Sequence, residues 1–119
     1  MYKGSCLCGA VRYEIRGQVL RTSNCWCTMC QKQHGAAVAP YASVAFGALH
    51  IVQGLEAITR YASSPPVERT FCAVCGSNLT WQSASEREHI GVALGSFDTP
   101  YQGVVTHDLH FDSKPGWLP

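Results

Sequence analysis

Charge is scarce in this chain: Asp, Glu, Lys and Arg make up 14% of its 119 residues, against roughly 25% in an average soluble domain. The formal net charge is +1 with no basic run, which excludes an electrostatic surface for nucleic acid. Long apolar runs are also missing, and no stretch approaches the roughly 20 residues of a membrane span. Met1-Tyr2-Lys3-Gly4-Ser5-Cys6 has no apolar signal-peptide core and leads straight into a cysteine motif. No Gly-rich phosphate cradle, Ser-His-Asp arrangement or usefully spaced carboxylate pair stands out. The five histidines, His34, His50, His89, His107 and His110, lack the i, i+4 pairing of a helical metal site. These absences predict a soluble, cytoplasmic protein of one domain, residues 1–119, with no nucleic-acid or membrane partner. The thinly charged surface is compatible with a homodimer.

What the sequence does have is cysteine. Seven residues fall into three clusters: Cys6-Leu7-Cys8, Cys25-Trp26-Cys27-Thr28-Met29-Cys30 and Cys72-Ala73-Val74-Cys75. In a reducing compartment such clusters read as metal ligands or redox groups rather than structural disulfides, and an odd count would leave one thiol unpaired. Seven divides naturally as four plus three. Four thiolates close a tetrahedral zinc site, while three leave one coordination position open.

The hydrophobic pattern is mostly that of short strands. In Ala10 to Ile15, Val11, Tyr13 and Ile15 share one face. Further strands are expected at Val19 to Asn24, Leu49 to Gln53, Ala57 to Ala62, Val67 to Phe71, Asn78 to Gln82, His89 to Leu94 and Val104 to Phe111. Ser63-Ser64-Pro65-Pro66 is the clearest loop. Only Thr28 to His34 looks helical, a short helix after the middle cluster that stops at Gly35. The pattern therefore predicts a mainly β, predominantly antiparallel domain.

One echo inside the sequence divides the cysteines. Gly9 follows Cys8 and Gly76 follows Cys75, whereas Gln31 follows Cys30. Glycine takes positive φ cheaply, which lets backbone N–H groups curl toward sulfur and offset thiolate charge. Cys6, Cys8, Cys72 and Cys75 are thus paired as a four-thiolate structural zinc site. Cys25, Cys27 and Cys30 remain, with Cys25 and Cys27 on one side of a strand end and Cys30 over the first helical turn. Three readings stay open for this trio: an open metal site, a site closed by His34, or a metal-free redox cluster. Trp26, between two candidate ligands, is read as a wall or cover of the site. Tyr13 and Trp81, in alternating strands, are expected in the core.

Gly4-Ser5-Cys6-Leu7-Cys8-Gly9-Ala10-Val11, the run Cys25 to Cys30, Phe71-Cys72-Ala73-Val74-Cys75-Gly76 and the tail Ser113-Lys114-Pro115-Gly116-Trp117 together resemble one family. It is the glutathione-dependent formaldehyde-activating enzyme family, which includes the centromere protein V group. The resemblance implies a β-rich zinc fold related to the methionine-R-sulfoxide reductase domain and a Rab-binding zinc protein. It implies two zinc ions per chain, a structural one on Cys6, Cys8, Cys72 and Cys75 and a catalytic one on Cys25, Cys27 and Cys30. The implied reaction joins glutathione and formaldehyde into S-hydroxymethylglutathione, classed in reverse as a carbon–sulfur lyase. Trp26 stands where family members usually carry histidine. Trp26 and His34 are candidate substrate-binding residues, and Lys32 and Lys114 are candidate partners for glutathione carboxylates. The alternatives are a non-catalytic zinc-binding interaction module and a thiol redox protein using Cys25, Cys27 and Cys30.

Overall fold

The computed structural model describes residues 1–119 and contains ten strands, one α-helix and four short 3-10 turns. The strands are β1 (Tyr2–Ser5), β2 (Arg12–Ile15), β3 (Arg21–Cys25), β4 (Ala39–Ala45), β5 (Leu49–Gln53), β6 (Ile58–Ser64), β7 (Val67–Cys72), β8 (Asn78–Ser83), β9 (Glu86–Ala93) and β10 (His107–Leu109). The helix, α1, spans Thr28–His34. A three-stranded sheet has the order β1-β2-β5, and a seven-stranded sheet the order β10-β3-β4-β9-β8-β7-β6. All pairings between strands are antiparallel except that of β10 with β3. The mainly β, antiparallel architecture expected from the sequence is therefore the one observed. No helix is long and apolar enough to cross a membrane.

Alternation along the strands decides which face each side chain serves. Tyr13 and Ile15 of β2 meet Val44 of β4 and Ile90 and Val92 of β9 in the main core between the sheets. Ile15, Val44 and Val92 are fully buried, each worth roughly 1.5–3 kcal/mol relative to exposure. Their neighbours Tyr41, Gly91 and Ala93 point to the opposite face of the large sheet, where Tyr41 and Ala93 pack with Cys30. The inner face also borders an apolar cavity of about 260 Å³ lined by Val11, Leu49, Ile51 and Leu79 among others. That cavity and the cysteine trio thus lie on different faces of one sheet.

Two strands were not anticipated. β1 precedes the first cysteine, and its Gly4 lies opposite Tyr13. A Cβ on Gly4 would overlap the Tyr13 ring, so the missing side chain lets that ring cross β1 and place its hydroxyl 2.6 Å from Ser96. β4 contains Pro40, which argues against a central strand, yet β4 lies between β3 and β9. Its pairing with β9 stops at Tyr41, so Pro40 falls beyond that ladder. At the C-terminus the expected strand from Val104 to Phe111 shortens to β10, because His110 turns to φ 56° and a 3-10 turn follows.

Candidate metal centres

The four-sulfur set is built from two similar turns. Cys6 and Cys8 lie between β1 and β2, while Cys72 ends β7 and Cys75 lies in the turn to β8. Gly9 has φ 79° and Gly76 φ 80°, and each donates its N–H back across the turn, to the Cys6 carbonyl at 3.1 Å and the Cys72 carbonyl at 2.8 Å. An L side chain disfavours this left-handed backbone, which is why glycine stands at both places. The four sulfurs lie within 4.8 Å of one another, with Cys6 to Cys8 at 3.6 Å and Cys8 to Cys72 at 3.9 Å. Tetrahedral Zn–S bonds of about 2.3 Å require S–S separations of about 3.8 Å, so donor type and spacing fit zinc.

Amides point at these sulfurs, Val11 N–H at Cys6 Sγ (3.2 Å) and Val74 N–H at Cys72 Sγ (3.4 Å). The Cys6 thiol is lowered because the Val11 amide and neighbouring sulfurs outweigh its burial. The Ser77 hydroxyl and amide bring Cys75 down to about 5. Cys8 goes the other way, to about 11: the Ala10 amide favours its thiolate, but desolvation and the adjacent sulfurs prevail. Without a cation, four crowded thiols cannot all ionise. This is the electrostatic demand a bound metal satisfies.

The trio is assembled by the end of β3 and the start of α1. Cys25 closes β3, Cys27 is the N-cap of α1, and Cys30 is the buried residue of the helix. The Cys27 sulfur accepts the Cys30 N–H at 3.3 Å, the capping role usually taken by a serine or aspartate oxygen. Gly35, at φ 58°, ends the helix as anticipated. The three sulfurs also lie within 4.8 Å of one another, and no histidine or carboxylate belongs to the set. Cys25 and Cys27 are partly exposed and Cys30 is 1% exposed. A hydrogen bond from Cys30 lowers the Cys25 thiol, and the same bond together with burial raises that of Cys30.

His34 does not close the trio. Its Nε2 lies 3.0 Å from the Tyr41 hydroxyl, and its ring meets the Tyr41 ring edge-on at 5.8 Å. Burial, helped by the Arg69 charge, lowers its pKa and favours neutral imidazole. Tyr41 in turn packs on Cys30, so His34 reaches the sulfurs only through that ring. Trp26 is 8% exposed and holds the C-terminal segment: its Nε1–H donates to Asp108 Oδ1 at 2.8 Å, and its ring packs edge-on to Phe111 at 5.4 Å. Lys114 sits 5.8 Å above the indole. Lys32 borders a shallow, open hollow of about 300 Å³ with Thr28, Gln31 and Trp117. Trp81, expected in the core, is partly buried and packs beside the trio.

One residue at the trio was not identified from sequence. Arg69 of β7 is 4% exposed. Its Nη1–H group reaches Cys30 Sγ at 3.4 Å and Gln33 Oε1 at 2.7 Å, and its Nε–H donates to Ser63 Oγ at 2.9 Å. The only signal was strand alternation, which sends Arg69 and Glu68 to opposite faces. It gave no hint of which face holds the sulfurs.

Comparison with known proteins agrees with this geometry. The model of the family described as "Glutathione-dependent formaldehyde-activating enzyme" matches residues 1–111. A Halomonas elongata protein named "Putative glutathione-dependent formaldehyde-activating enzyme" is 30% identical over 131 aligned positions, covering 99% of this chain and 80% of its own. Among solved structures, a Rhodobacter sphaeroides protein superposes with a TM-score of 0.72 at 27% identity, covering 88% of this chain and 98% of that one.

Proposed function

The chain belongs to the glutathione-dependent formaldehyde-activating enzyme family, and from that premise we propose that it adds the thiol of glutathione to formaldehyde to give S-hydroxymethylglutathione, working in a reducing cytoplasm. In this reading Cys6, Cys8, Cys72 and Cys75 hold a structural zinc, and Cys25, Cys27 and Cys30 hold a second one. The observation that carries the reading is the trio itself: three convergent sulfurs, two of them reachable from solvent, with no fourth protein ligand among them. A zinc ion there supplies Lewis acidity that favours the thiolate form of a bound thiol.

The remaining work falls to the protein. The sulfur of the incoming thiolate forms a bond to the aldehyde carbon, the C=O π pair moves to oxygen, and that oxygen takes a proton to become the hydroxyl. No bond other than the thiol S–H and the carbonyl π bond is broken, so the step needs no oxidant or reductant. Trp81 and Tyr41, packed around the trio, limit water and confine approach to the exposed side of Cys25 and Cys27. Trp26 acts by holding the segment from Asp108 to Lys114 against α1. Lys114, over the indole, and Lys32, at the hollow beside α1, are the candidate cations for substrate carboxylates.

The test is exchange spectroscopy on glutathione and formaldehyde at equilibrium. The zinc-loaded protein should interconvert free and hydroxymethylated glutathione faster than buffer does, and faster than protein stripped of zinc. Equal rates in all three samples would overturn the enzymatic reading in favour of a zinc-binding interaction module. Isolation with one zinc and a Cys25–Cys30 or Cys27–Cys30 disulfide would support redox use of the trio.

A further inference from the structure

Arg69 is a buried cation without a carboxylate partner. Ion pairs in the molecule involve Arg16, Arg60 and His89, and none includes Arg69. Besides Cys30 Sγ, its hydrogen-bond partners are neutral, Ser63 and Gln33. A guanidinium removed from water is costly to bury unless an anion faces it. Here the facing group is sulfur. The contact between Arg69 and Cys30 thus becomes a charge pair once a metal holds Cys30 as thiolate.

The two sulfur sets differ at this point. The hydrogen bonds to the four-sulfur set come from backbone amides, those of Ala10, Val11, Val74 and Ser77 among them, and the Ser77 hydroxyl, with no cationic side chain. The trio has an amide on Cys27 and a fixed positive charge on Cys30. Three thiolates around a divalent ion sum to −1, and the guanidinium brings the local total to zero. A fourth thiolate then returns it to −1, rather than driving it to −2. The guanidinium also draws electron density from Cys30, leaving the ion a stronger acceptor for a new ligand.

We propose that Arg69 is a positioning residue that makes the trio selective for an anionic sulfur ligand at its fourth position, by neutralising Cys30 from behind. The proposal rests on the reading of the trio as a metal site and adds what chooses its substrate. The contribution is electrostatic and directed at sulfur, so any small thiolate benefits from it, whatever the rest of the molecule carries.

The test uses the full chain with cobalt(II) in place of zinc, since thiolate-to-cobalt charge-transfer absorption counts sulfur ligands. Glutathione, 2-mercaptoethanol and imidazole are titrated separately into wild type, Arg69→Met and Arg69→Lys. In wild type each thiol should raise the charge-transfer band by one thiolate's increment. Arg69→Met should weaken both thiols by roughly tenfold or more, the scale of a hydrogen bond to a charged group, and leave the neutral ligand imidazole unweakened. Arg69→Lys, which keeps the charge but not the fork, should recover part of the loss.

Equal weakening of imidazole, or no change in either thiol, overturns the proposal while leaving the metal site intact. Loss confined to glutathione overturns it as well, because Arg69 would then be a carboxylate contact. Cobalt in the four-sulfur set alone, with none at the wild-type trio, overturns the metal reading and the proposal with it. Where Arg69→Met melts early, Arg69→Gln, which keeps polar hydrogen bonding and removes the charge, decides: a preference for thiol over imidazole equal to that of wild type is a refutation.

Discussion

Replacing Cys72 by serine should unfold this protein, whereas the same substitution at Cys27 should not. Cys72 is fully buried and packs with Cys6, Val11 and Leu79. Through the four-sulfur set it joins the turn before β2 to the turn before β8, bringing its sulfur within 3.9 Å of Cys8, 64 residues away in sequence. A structural zinc contributes about 10–16 kcal/mol of binding free energy, as large as the roughly 5–15 kcal/mol of a domain's whole stability. The apolar side chains buried around it, Val11 and Leu79, offer roughly 1.5–3 kcal/mol each and cannot replace it. Loss of the ion therefore removes most or all of the folding free energy.

At Cys27 the balance is different. The residue is partly exposed, and its structural task is to cap α1 through sulfur. Serine is itself a preferred N-cap, so Cys27→Ser keeps the helix start while removing a metal ligand. Zinc per chain and thermal unfolding followed by circular dichroism measure both effects. Wild type should carry two zinc ions and Cys27→Ser one, with a cooperative melt retained. Cys72→Ser should show no cooperative transition. A Cys72→Ser melt within about 5 °C of wild type, the shift expected for only about 1 kcal/mol in a domain of this size, would refute the claim that this site holds the fold.

Two further outcomes test the surroundings. Burial, against the Ser96 hydrogen bond and with the Asp98 charge, raises Tyr13 to about 12. An unfolded tyrosine ionises near 10, so between these values the folded state holds the proton more tightly and stability falls as pH rises. Tyr13 is 3% exposed, and the rise corresponds to about 3 kcal/mol of stability, present below pH 10 and lost by about 12. Denaturant melts across that window should show the fall, and Tyr13→Phe should lessen it; an unchanged slope would contradict the assignment. Asp108→Ala removes the acceptor of the Trp26 indole N–H, costing about 1.5–3 kcal/mol for a bond to a charged group. Limited proteolysis should then cut the C-terminal segment sooner and Trp26 emission should move to the red, whereas unchanged cleavage would show that the segment is held by other contacts.

The partition of the cysteines was legible because its cause is local. Gly9 and Gly76 adopt positive φ within four residues of the sulfurs they serve, and that requirement is written in the residue type. Helix α1 was legible for the same reason, with its bounds and its Gly35 stop all within one short segment. β4 was not, because Pro40 argues against a strand until the end of the β9 ladder is known. The roles of Arg69 and Trp26 depend on partners far along the chain: 39 residues separate Arg69 from Cys30, and 82 separate Trp26 from Asp108. No local pattern announces such a pair. Trp26 was expected beside the metal because its neighbours are ligands, but alternation between Cys25 and Cys27 turns the indole toward the C-terminal segment.

That turn explains why the segment after residue 106 matters to the trio. β3 delivers Cys25, and β10 pairs with it on the side away from β4. Without β10, β3 would be an unpaired edge at the strand end from which the site grows. The Trp26 amide donates to Leu109 at 2.9 Å, its indole to Asp108, and Gln31 of α1 bridges the Trp26 and Ser113 carbonyls at 2.7 and 2.9 Å. Strand end, helix start and C-terminal segment are thereby fastened at one point, adjacent to the three sulfurs yet not among them. A histidine at position 26 lacks the indole's area for packing against Phe111 and Lys114. Tryptophan at this position fastens the strand end that carries Cys25 to the C-terminal segment.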